Sequence, residues 1–517
     1  MTARSWLRGR RAGLPPATRS RVRVERDVPV KMPDGISLLT DRWYSTSEGS
    51  DPIVLIRSPY GRQMVASDAR LLAERGFTVI VQSCRGTFGS GGEFVPMFGE
   101  VEDTRATWEW MDAQPWAHDD VYLWGASYLG LTTWAASRAA PRPVPAMFVG
   151  VTSTDFRRSI FYPNGRFGLG TALFWRFVFH TQEQPSLKRL AAFARLIPTF
   201  RRATRAGVAE GADRRALSIS DAPYQSWLDH GPTDPWWDPA SLDDQLTMGP
   251  PILTFAGWHD LFIDAQIAEY EQIQAAGRSV RLIVGPWSHM SMGAHPVMIR
   301  ESIDFFTTAP RPTGARIWFG GAQEFRELPS FPPATERCDW TLDGGGGLTL
   351  GAGSRSRGSR SFVTTAGNPA PALGGTTLFP PDMGSKNQKK RERRPDVLSY
   401  TSAELTDPVT IAGRPSVRLS IEGDAGPWFV RLCDVSPSGK SVNICDGVTG
   451  ASPVREVEID MSPAAHVFLP GHRLRLQVSA DASPSYAAAP AGSRRTVVDE
   501  PERRSVLTLP TIAKPHS

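Results

Sequence analysis

The sequence has few cysteines and lacks any long apolar run. Its four cysteines are too few for a disulfide framework, and none has the Cys-x-x-Cys spacing of a zinc site. No stretch approaches the roughly 18 apolar residues of a membrane-spanning helix, and the start of the chain lacks the apolar segment of a secretory signal. These absences predict a cytoplasmic protein without a membrane partner.

The chain also has little net charge. The formal charge is +5 on 517 residues, and the excess lies in an arginine-rich N-terminal tail and in residues 389–394. Apart from Trp6, neither run has the interleaved aromatic residues on which single-stranded nucleic acids stack. We therefore expect a flexible start, a solvated loop at residues 389–394 and no nucleic-acid partner.

Short apolar runs alternate with helical patterns in the first third of the chain. Continuous apolar runs of this length predict buried parallel strands, and their alternation with helices predicts an open α/β sheet. The runs lie at residues 52–57, 76–81, 121–125 and 146–151, and the rhythm returns at residues 251–255 and 280–284. We therefore predict a core in two parts, residues 22–155 and 245–308, with a helical cap inserted at residues 156–244.

The character of the sequence changes again after residue 308. Residues 309–312 read Ala-Pro-Arg-Pro, which is typical of a linker. Beyond it, short alternating segments rich in Thr, Val and Leu are separated by Gly and Pro turns. This pattern predicts an all-β sandwich over residues 313–517.

The strongest local signal for chemistry is the segment from Gly125 to Gly130. An apolar run enters a glycine-flanked serine, Ser127, and a helical pattern follows, as in the nucleophile elbow of α/β-hydrolases. The usual pattern is Gly-x-Ser-x-Gly, whereas here the second glycine comes one position late. A serine that only caps a helix N-terminus is the alternative.

A serine nucleophile needs a base and an acid, which in α/β-hydrolases follow it in the order acid, then histidine. Residues 251–255 lead into Asp260, and residues 280–284 lead into His289. Because this fold keeps its reactive groups on loops just past the strands, we predict that His289 accepts the Ser127 proton and that Asp260 orients His289. Asp264 is the alternative acid, but we expect it on the following helix.

Other histidines fit the role of the base less well. His259 adjoins Asp260, and adjacent side chains cannot easily form the base–acid pair. His118 precedes the serine, and His180 and His230 lie in the predicted cap.

An oxyanion hole needs two hydrogen-bond donors. Elbow geometry makes the backbone N–H of Tyr128 one of them. The phenol of Tyr60, on the loop after the first apolar run, is the candidate for the second. An aromatic ring that merely packs against the sheet edge is the alternative for Tyr60.

Several motifs in the same order resemble the family of cocaine-esterase-like hydrolases and X-Pro dipeptidyl-peptidases, which includes the α-amino-acid ester hydrolases. The resemblance covers nearly the whole chain, and its motifs lie at residues 57–60, 84–94, 125–130, 257–260, 285–289, 429–435 and 470–473. It implies that the late Gly130 is normal, that Ser127, Asp260 and His289 form a catalytic triad, and that Tyr60 donates to the oxyanion. It also implies an α/β-hydrolase core, a helical cap and a C-terminal jelly-roll, with no metal or organic cofactor.

Two positions depart from this family. Ser83 stands where the family tends to have Asp, and Phe325 stands where Trp is more usual. Neither belongs to the predicted triad. Both indicate a divergent member, so the resemblance does not identify the substrate.

The predicted substrate is a small ester, amide or short peptide, cleaved through an acyl-enzyme. Aromatic residues of the cap, with Trp175, Trp258 and Phe262 as the candidate pocket, favour an esterase or acylase. An X-Pro dipeptidyl-peptidase is the alternative, because an acid of the cap could pair with a substrate amine. The candidate acids are Asp155, Glu183, Glu210, Asp213, Asp229 and Asp234. A non-catalytic binding protein is an alternative of another class, and a homodimer is left open.

Overall fold

The first part of the chain forms a ten-stranded sheet. A computed structural model describes residues 9–512 except 11, 20, 47–50, 205–207, 352, 354–357, 366 and 451–454, and the statements below concern these residues. The strands are β1 (Val22–Lys31), β2 (Ser37–Ser45), β3 (Ile53–Ser58), β4 (Thr78–Ser83), β5 (Val121–Ala126), β6 (Met147–Gly150), β7 (Ile252–His259), β8 (Val280–Ser288), β9 (Gly314–Phe319) and β10 (Glu324–Leu328). They lie in the order β1-β2-β4-β3-β5-β6-β7-β8-β9-β10.

The strands from β4 to β9 in this order run parallel to one another, and β1, β2 and β10 pair in the antiparallel sense. All six residues of β3 and of β4 are buried. Parallel strands covered by helices on both faces have to be apolar throughout, which explains the continuous apolar runs. The α/β fold predicted from those runs is therefore confirmed.

Helices connect the strands and cover the sheet. They are α1 (Ala66–Ala73), α2 (Glu100–Asp112), α3 (Tyr128–Arg138), α4 (Leu169–Gln182), α5 (Ser186–Thr204), α6 (Ala212–Leu217), α7 (Ala222–Asp229), α8 (Ile263–Ala275) and α9 (Ala294–Thr307). Helices α4 to α7 lie in the stretch between β6 and β7, where the described residues include no strand. None of the helices in the described part of the chain is long and apolar enough to cross a bilayer.

The two ends of the helical stretch meet at one residue of the core. The Thr154 carbonyl accepts a hydrogen bond from the Leu242 N–H at 3.0 Å, and its hydroxyl donates to Asp243 at 2.7 Å. The Thr154 N–H donates to the buried Glu269 carboxylate of α8 at 2.8 Å. Burial raises the pKa of Glu269 to about 7. Thr154 thus joins both ends of the helical stretch to α8 of the core, on the carboxyl side of the sheet.

The core sheet continues past the predicted boundary at residues 308–313. Strand β9 pairs in parallel with β8, and β10 pairs with β9. Residues 309–312, for which the sequence predicts a linker between domains, are instead the connection from α9 to the next parallel strand. A Pro-rich loop has the same sequence pattern in both situations, so the pattern alone does not distinguish them. We propose that the boundary lies after Leu328.

The rest of the chain forms a β-sandwich around a second apolar core. Its strands are β11 (Glu336–Leu342), β12 (Gly347–Leu350), β13 (Arg360–Val363), β14 (Val397–Ser402), β15 (Val409–Gly413), β16 (Ser416–Gly423), β17 (Phe429–Val435), β18 (Ser441–Val448), β19 (Glu456–Asp460), β20 (Ala464–Phe468), β21 (Arg473–Ser479), β22 (Arg494–Val497) and β23 (Val506–Thr511). Backbone hydrogen bonds from Gly320 to Ala465 and from Val467 to Gly320 join it to the core. The predicted C-terminal sandwich is confirmed.

The basic run at residues 389–394 is not the solvated loop that the charge pattern predicts. It contains a short helix, α10 (Lys389–Glu392), and Arg391 is fully buried. The Arg391 guanidinium donates to Gln477 at 3.0 Å and to Ser479 at 2.6 Å. The buried acceptors come from β21, far along the chain, so the local pattern contains no sign of them. Of the arginines in the predicted flexible N-terminal tail, Arg4, Arg8 and Arg11 lie outside the described residues, whereas Arg19 pairs with Asp51 at 2.7 Å and Arg23 lies in β1.

The burial of Arg391 gives a stability prediction. Arg391→Ala leaves several buried acceptors without a donor, so we expect it to lower the free energy of unfolding by roughly 3 kcal/mol. Lys390→Ala is the matched control because Lys390 belongs to the same run but is exposed. Urea unfolding followed by tryptophan fluorescence measures both. Equal midpoints for the two variants would contradict the buried position of Arg391.

Candidate active site

Ser127 lies in a sharp turn between β5 and α3. Its backbone has φ 58° and ψ −127°, a conformation that residues other than glycine rarely adopt. Its side chain makes no capping hydrogen bond to α3. The alternative of a simple helix cap is therefore wrong, and the strained turn is that of a nucleophile elbow.

Close packing explains the two glycines of the elbow. A Cβ atom at Gly125 would overlap the Leu129 carbonyl oxygen, and one at Gly130 would lie 2.5 Å from the Thr152 Cγ2 atom. Thr152 follows β6, the strand beside β5. The second glycine stands one position late because position 130, rather than 129, faces this neighbouring loop.

A line of hydrogen bonds joins Ser127, His289 and Asp260. The Ser127 Oγ atom lies 2.9 Å from His289 Nε2, and His289 Nδ1 lies 2.8 Å from Asp260 Oδ2. Asp260 is fully buried, and its other carboxylate oxygen accepts the Phe262 N–H at 2.9 Å. An acceptor at Nδ1 fixes the proton on that nitrogen and leaves Nε2 free to take the serine proton.

The backbone places the acid beside the base. Strands β7 and β8 extend further than the apolar runs predict, through a register shift, so that His259 pairs with Ser288. Asp260 directly follows β7, and His289 directly follows β8. These two side chains therefore meet as direct neighbours at the carboxyl edge of the sheet.

The competing residues have other partners. Asp264 is on α8, as expected, where it pairs with Arg414 and accepts the Ser462 hydroxyl at 2.6 Å. Burial lowers the pKa of His259 to about 4, and charged residues of the sandwich also act on this ring. His118 accepts the Asp120 N–H, and His230 contacts Asp234.

Tyr60 reaches the same place from the loop after β3. Its hydroxyl accepts a hydrogen bond from the Trp175 indole N–H at 2.9 Å and lies within hydrogen-bonding reach of the Ser127 side chain. Its ring stacks on Phe179 of α4 at 5.4 Å. Burial raises the pKa of Tyr60, so the phenol keeps its proton. Since Trp175 already donates to the phenol oxygen, the Tyr60 proton is free to point toward Ser127.

Tyr128 is the first residue of α3, where a backbone N–H has no partner within the helix. Its ring is fully buried, and its hydroxyl donates to the Glu100 carboxylate at 2.8 Å. The elbow pattern predicts the role of the Tyr128 amide but not the partner of the side chain, because Glu100 lies on a different helix.

The three predicted pocket residues divide into two groups. The Phe262 ring lies 5.7 Å from the His289 ring and 5.0 Å from Phe156. The Trp175 indole N–H donates to the Tyr60 hydroxyl, and its ring stacks on Trp227 at 5.5 Å. Trp258 instead packs on the core: its indole N–H donates to the Trp318 carbonyl at 2.7 Å.

Most acids of the helical stretch are exposed or already paired. Asp155 is bonded to Arg157, Asp213 to Gln225, and Asp234 to His230. Glu210 and Asp229 are exposed. Glu183 is exposed as well: it follows Gln182 of α4, whose side chain donates to the Pro59 carbonyl next to Tyr60, and its carboxylate accepts the Phe88 N–H at 3.2 Å.

Family models match both parts of the chain. Residues 34–291 match the model of the X-Pro dipeptidyl-peptidase (S15 family), and residues 308–509 match the X-Pro dipeptidyl-peptidase C-terminal non-catalytic domain. Cocaine esterase from Rhodococcus sp. (strain MB1 Bresler) is 28% identical, over 90% of this chain and 92% of that protein.

Two solved structures share the whole fold. An α-amino acid ester hydrolase superposes with a TM-score of 0.78 at 20% identity, and an aminopeptidase from a marine sediment Thaumarchaeota archaeon superposes with a TM-score of 0.77 at 20% identity. Each comparison covers 96% of this chain and 98% of the other. With two family models that together match both the core and the sandwich, the chain belongs to the serine hydrolase family of cocaine esterase and the X-Pro dipeptidyl-peptidases.

Proposed function

We propose that this enzyme cleaves a small ester or amide through an acyl-enzyme on Ser127. The observation that carries the proposal is the hydrogen-bonded line from the strained Ser127 through His289 to the buried Asp260. The Ser127 oxygen attacks the carbonyl carbon while its proton passes to His289 Nε2. Asp260 holds the imidazole and stabilises the imidazolium that forms.

His289 then returns the proton to the leaving alcohol or amine, and the acyl group stays on Ser127. Water attacks the acyl-enzyme and gives its proton to His289, which passes it to the Ser127 oxygen as the bond from Ser127 to the acyl carbon breaks and the acid is released. In both steps the carbonyl oxygen becomes negative. The Tyr60 hydroxyl and the Tyr128 amide donate to that oxygen, which stabilises both tetrahedral intermediates.

Two observations support an esterase or acylase over a dipeptidyl-peptidase. Phe262, Phe156 and Trp175 form an apolar wall beside the triad. The buried acids of the helical stretch are bonded to other side chains. A substrate ammonium in an apolar site would need a free carboxylate. Glu183, next to the loop that carries Phe88, is the one feature that favours the peptidase.

The remaining predictions concern location and partners. All four cysteines are free thiols, which supports the proposed cytoplasmic location, because free thiols persist where disulfides do not form. We expect no nucleic acid and no membrane as partners. The homodimer stays a prediction.

Removal of the nucleophile tests the mechanism. We expect Ser127→Ala to lower kcat for p-nitrophenyl butyrate at least about a thousandfold, because the acyl-enzyme can no longer form. A fluorophosphonate probe should label the parent and not the variant. Unchanged thermal unfolding serves as the control for folding, and retention of most activity would remove Ser127 from the mechanism.

The role of Tyr60 has its own test. Tyr60→Phe keeps the ring but removes the donor, so we expect kcat to fall roughly a hundredfold. Tyr162→Phe is the matched control, since it loses a phenol hydrogen bond of 2.8 Å to the Trp227 carbonyl in the helical stretch. A near-normal rate for Tyr60→Phe would assign the ring to packing alone.

Two substrates separate the candidate activities. We expect hydrolysis of p-nitrophenyl butyrate and little release from Ala-Pro-p-nitroanilide, with Ser127→Ala as the blank. Efficient release from the peptide substrate, lost in Glu183→Gln while ester hydrolysis persists, would reverse the assignment in favour of the peptidase.

A further inference from the structure

A buried carboxylate lies beneath the oxyanion hole. Glu100 is the first residue of α2, and its side chain is 6% exposed. Its Oε1 atom accepts the Tyr128 hydroxyl at 2.8 Å, and its Oε2 atom accepts from Arg57 Nη1 at 2.7 Å. Tyr128 directly follows Ser127, and Arg57 comes three residues before Tyr60. One carboxylate is therefore bonded to both segments that carry the oxyanion donors.

The hydrogen bonds of the Tyr128 phenol have a fixed direction. Its oxygen accepts the Met97 N–H at 2.7 Å, so its own proton is donated to Glu100. Burial raises the pKa of Tyr128 well above its ordinary value, so the phenol stays protonated. The ring is thus held at both sides of its oxygen.

Arg57 extends the same network into the core. Besides Glu100, its guanidinium donates to Thr104 of α2 at 2.7 Å and to Gln82 of β4 at 2.8 Å. Its carbonyl accepts the Thr132 hydroxyl of α3 at 3.0 Å. The end of β3, from which the Tyr60 loop departs, is therefore fixed to α2, to β4 and to the helix that begins at Tyr128.

We propose that Glu100 is a positioning residue of the oxyanion hole. It fixes the Tyr128 amide and the Tyr60 loop in position relative to each other. The proposal rests on the acyl-enzyme mechanism proposed above. Glu100 itself does not touch the substrate and acts through Tyr128 and Arg57. Because a displacement of about 1 Å at a reacting group can lower a rate roughly a hundredfold, release of either anchor should lower kcat more than substrate binding.

The sandwich supplies a matched control for a purely structural role. Glu392 is also a largely buried carboxylate, 9% exposed, that accepts from one arginine and one hydroxyl, Arg475 at 2.6 Å and Ser441 at 2.6 Å, and from Gln477 at 3.2 Å. Glu392→Gln should lower the thermal stability as Glu100→Gln does, but it has no link to Ser127. A difference in kcat between the two variants therefore reports position rather than stability.

The experiment compares Glu100→Gln, Tyr128→Phe and Glu392→Gln on p-nitrophenyl butyrate, with rates expressed per fluorophosphonate-labelled site. We expect kcat of Glu100→Gln to fall about 10- to 100-fold with KM changed less than about threefold. Tyr128→Phe should fall in the same direction, and the double variant should be no slower than the slower single variant, because both changes break one network. Glu392→Gln should stay within about twofold of the parent.

Several outcomes would overturn the proposal. A folded Glu100→Gln enzyme with parental kcat per labelled site would show that Glu100 only stabilises the fold. Should Glu100→Gln not fold, Tyr128→Phe alone carries the test, and parental kcat in that variant would overturn the proposal in the same way. Failure of the mechanism itself has a different signature: the parent enzyme would not be labelled at Ser127.

Discussion

The hydrogen bond between His289 and the buried carboxylate of Asp260 is the interaction on which the site depends. A carboxylate without contact to water is stable as an ion only when hydrogen bonds satisfy it, and here the imidazole and the Phe262 amide do so. The same bond fixes the proton on His289 Nδ1 and leaves Nε2 to face Ser127. The fold places the two side chains together because β7 and β8 pair as far as His259 and Ser288, the residues directly before Asp260 and His289.

The fold and the core of the site are accessible from the sequence because both follow from short segments. Apolar runs predict the parallel strands, and reactive residue types directly after those runs predict the triad. The side chains that the sequence does not place are the ones whose partners lie far along the chain. The Trp258 indole bonds the carbonyl of Trp318 and does not line the pocket. Arg391 is not solvated but is buried against β21. Neither partner leaves a signal in the local pattern.

The parts of the chain act together at the catalytic edge. The core contributes Ser127, His289 and Asp260, whereas the helical stretch contributes Trp175, whose indole N–H donates to the Tyr60 hydroxyl. Charged residues of the sandwich act on His259, the neighbour of Asp260. The sandwich therefore approaches the loop that carries the acid, although it supplies none of the proposed catalytic groups. We propose that substrate selection depends on the aromatic wall, with Glu183, which follows α4, as the candidate partner of a substrate amine.

The acyl-enzyme on Ser127 is the central claim, and its capture is the most direct test. The enzyme would be mixed with excess p-nitrophenyl butyrate, quenched with acid within the first turnovers and digested for mass spectrometry. The account predicts a butyryl group on the peptide that contains Ser127, and none after the same treatment of Ser127→Ala. A butyryl group on another residue would contradict the account. Turnover without any acyl-enzyme, under conditions where an acyl-enzyme would be hydrolysed slowly, would contradict it as well.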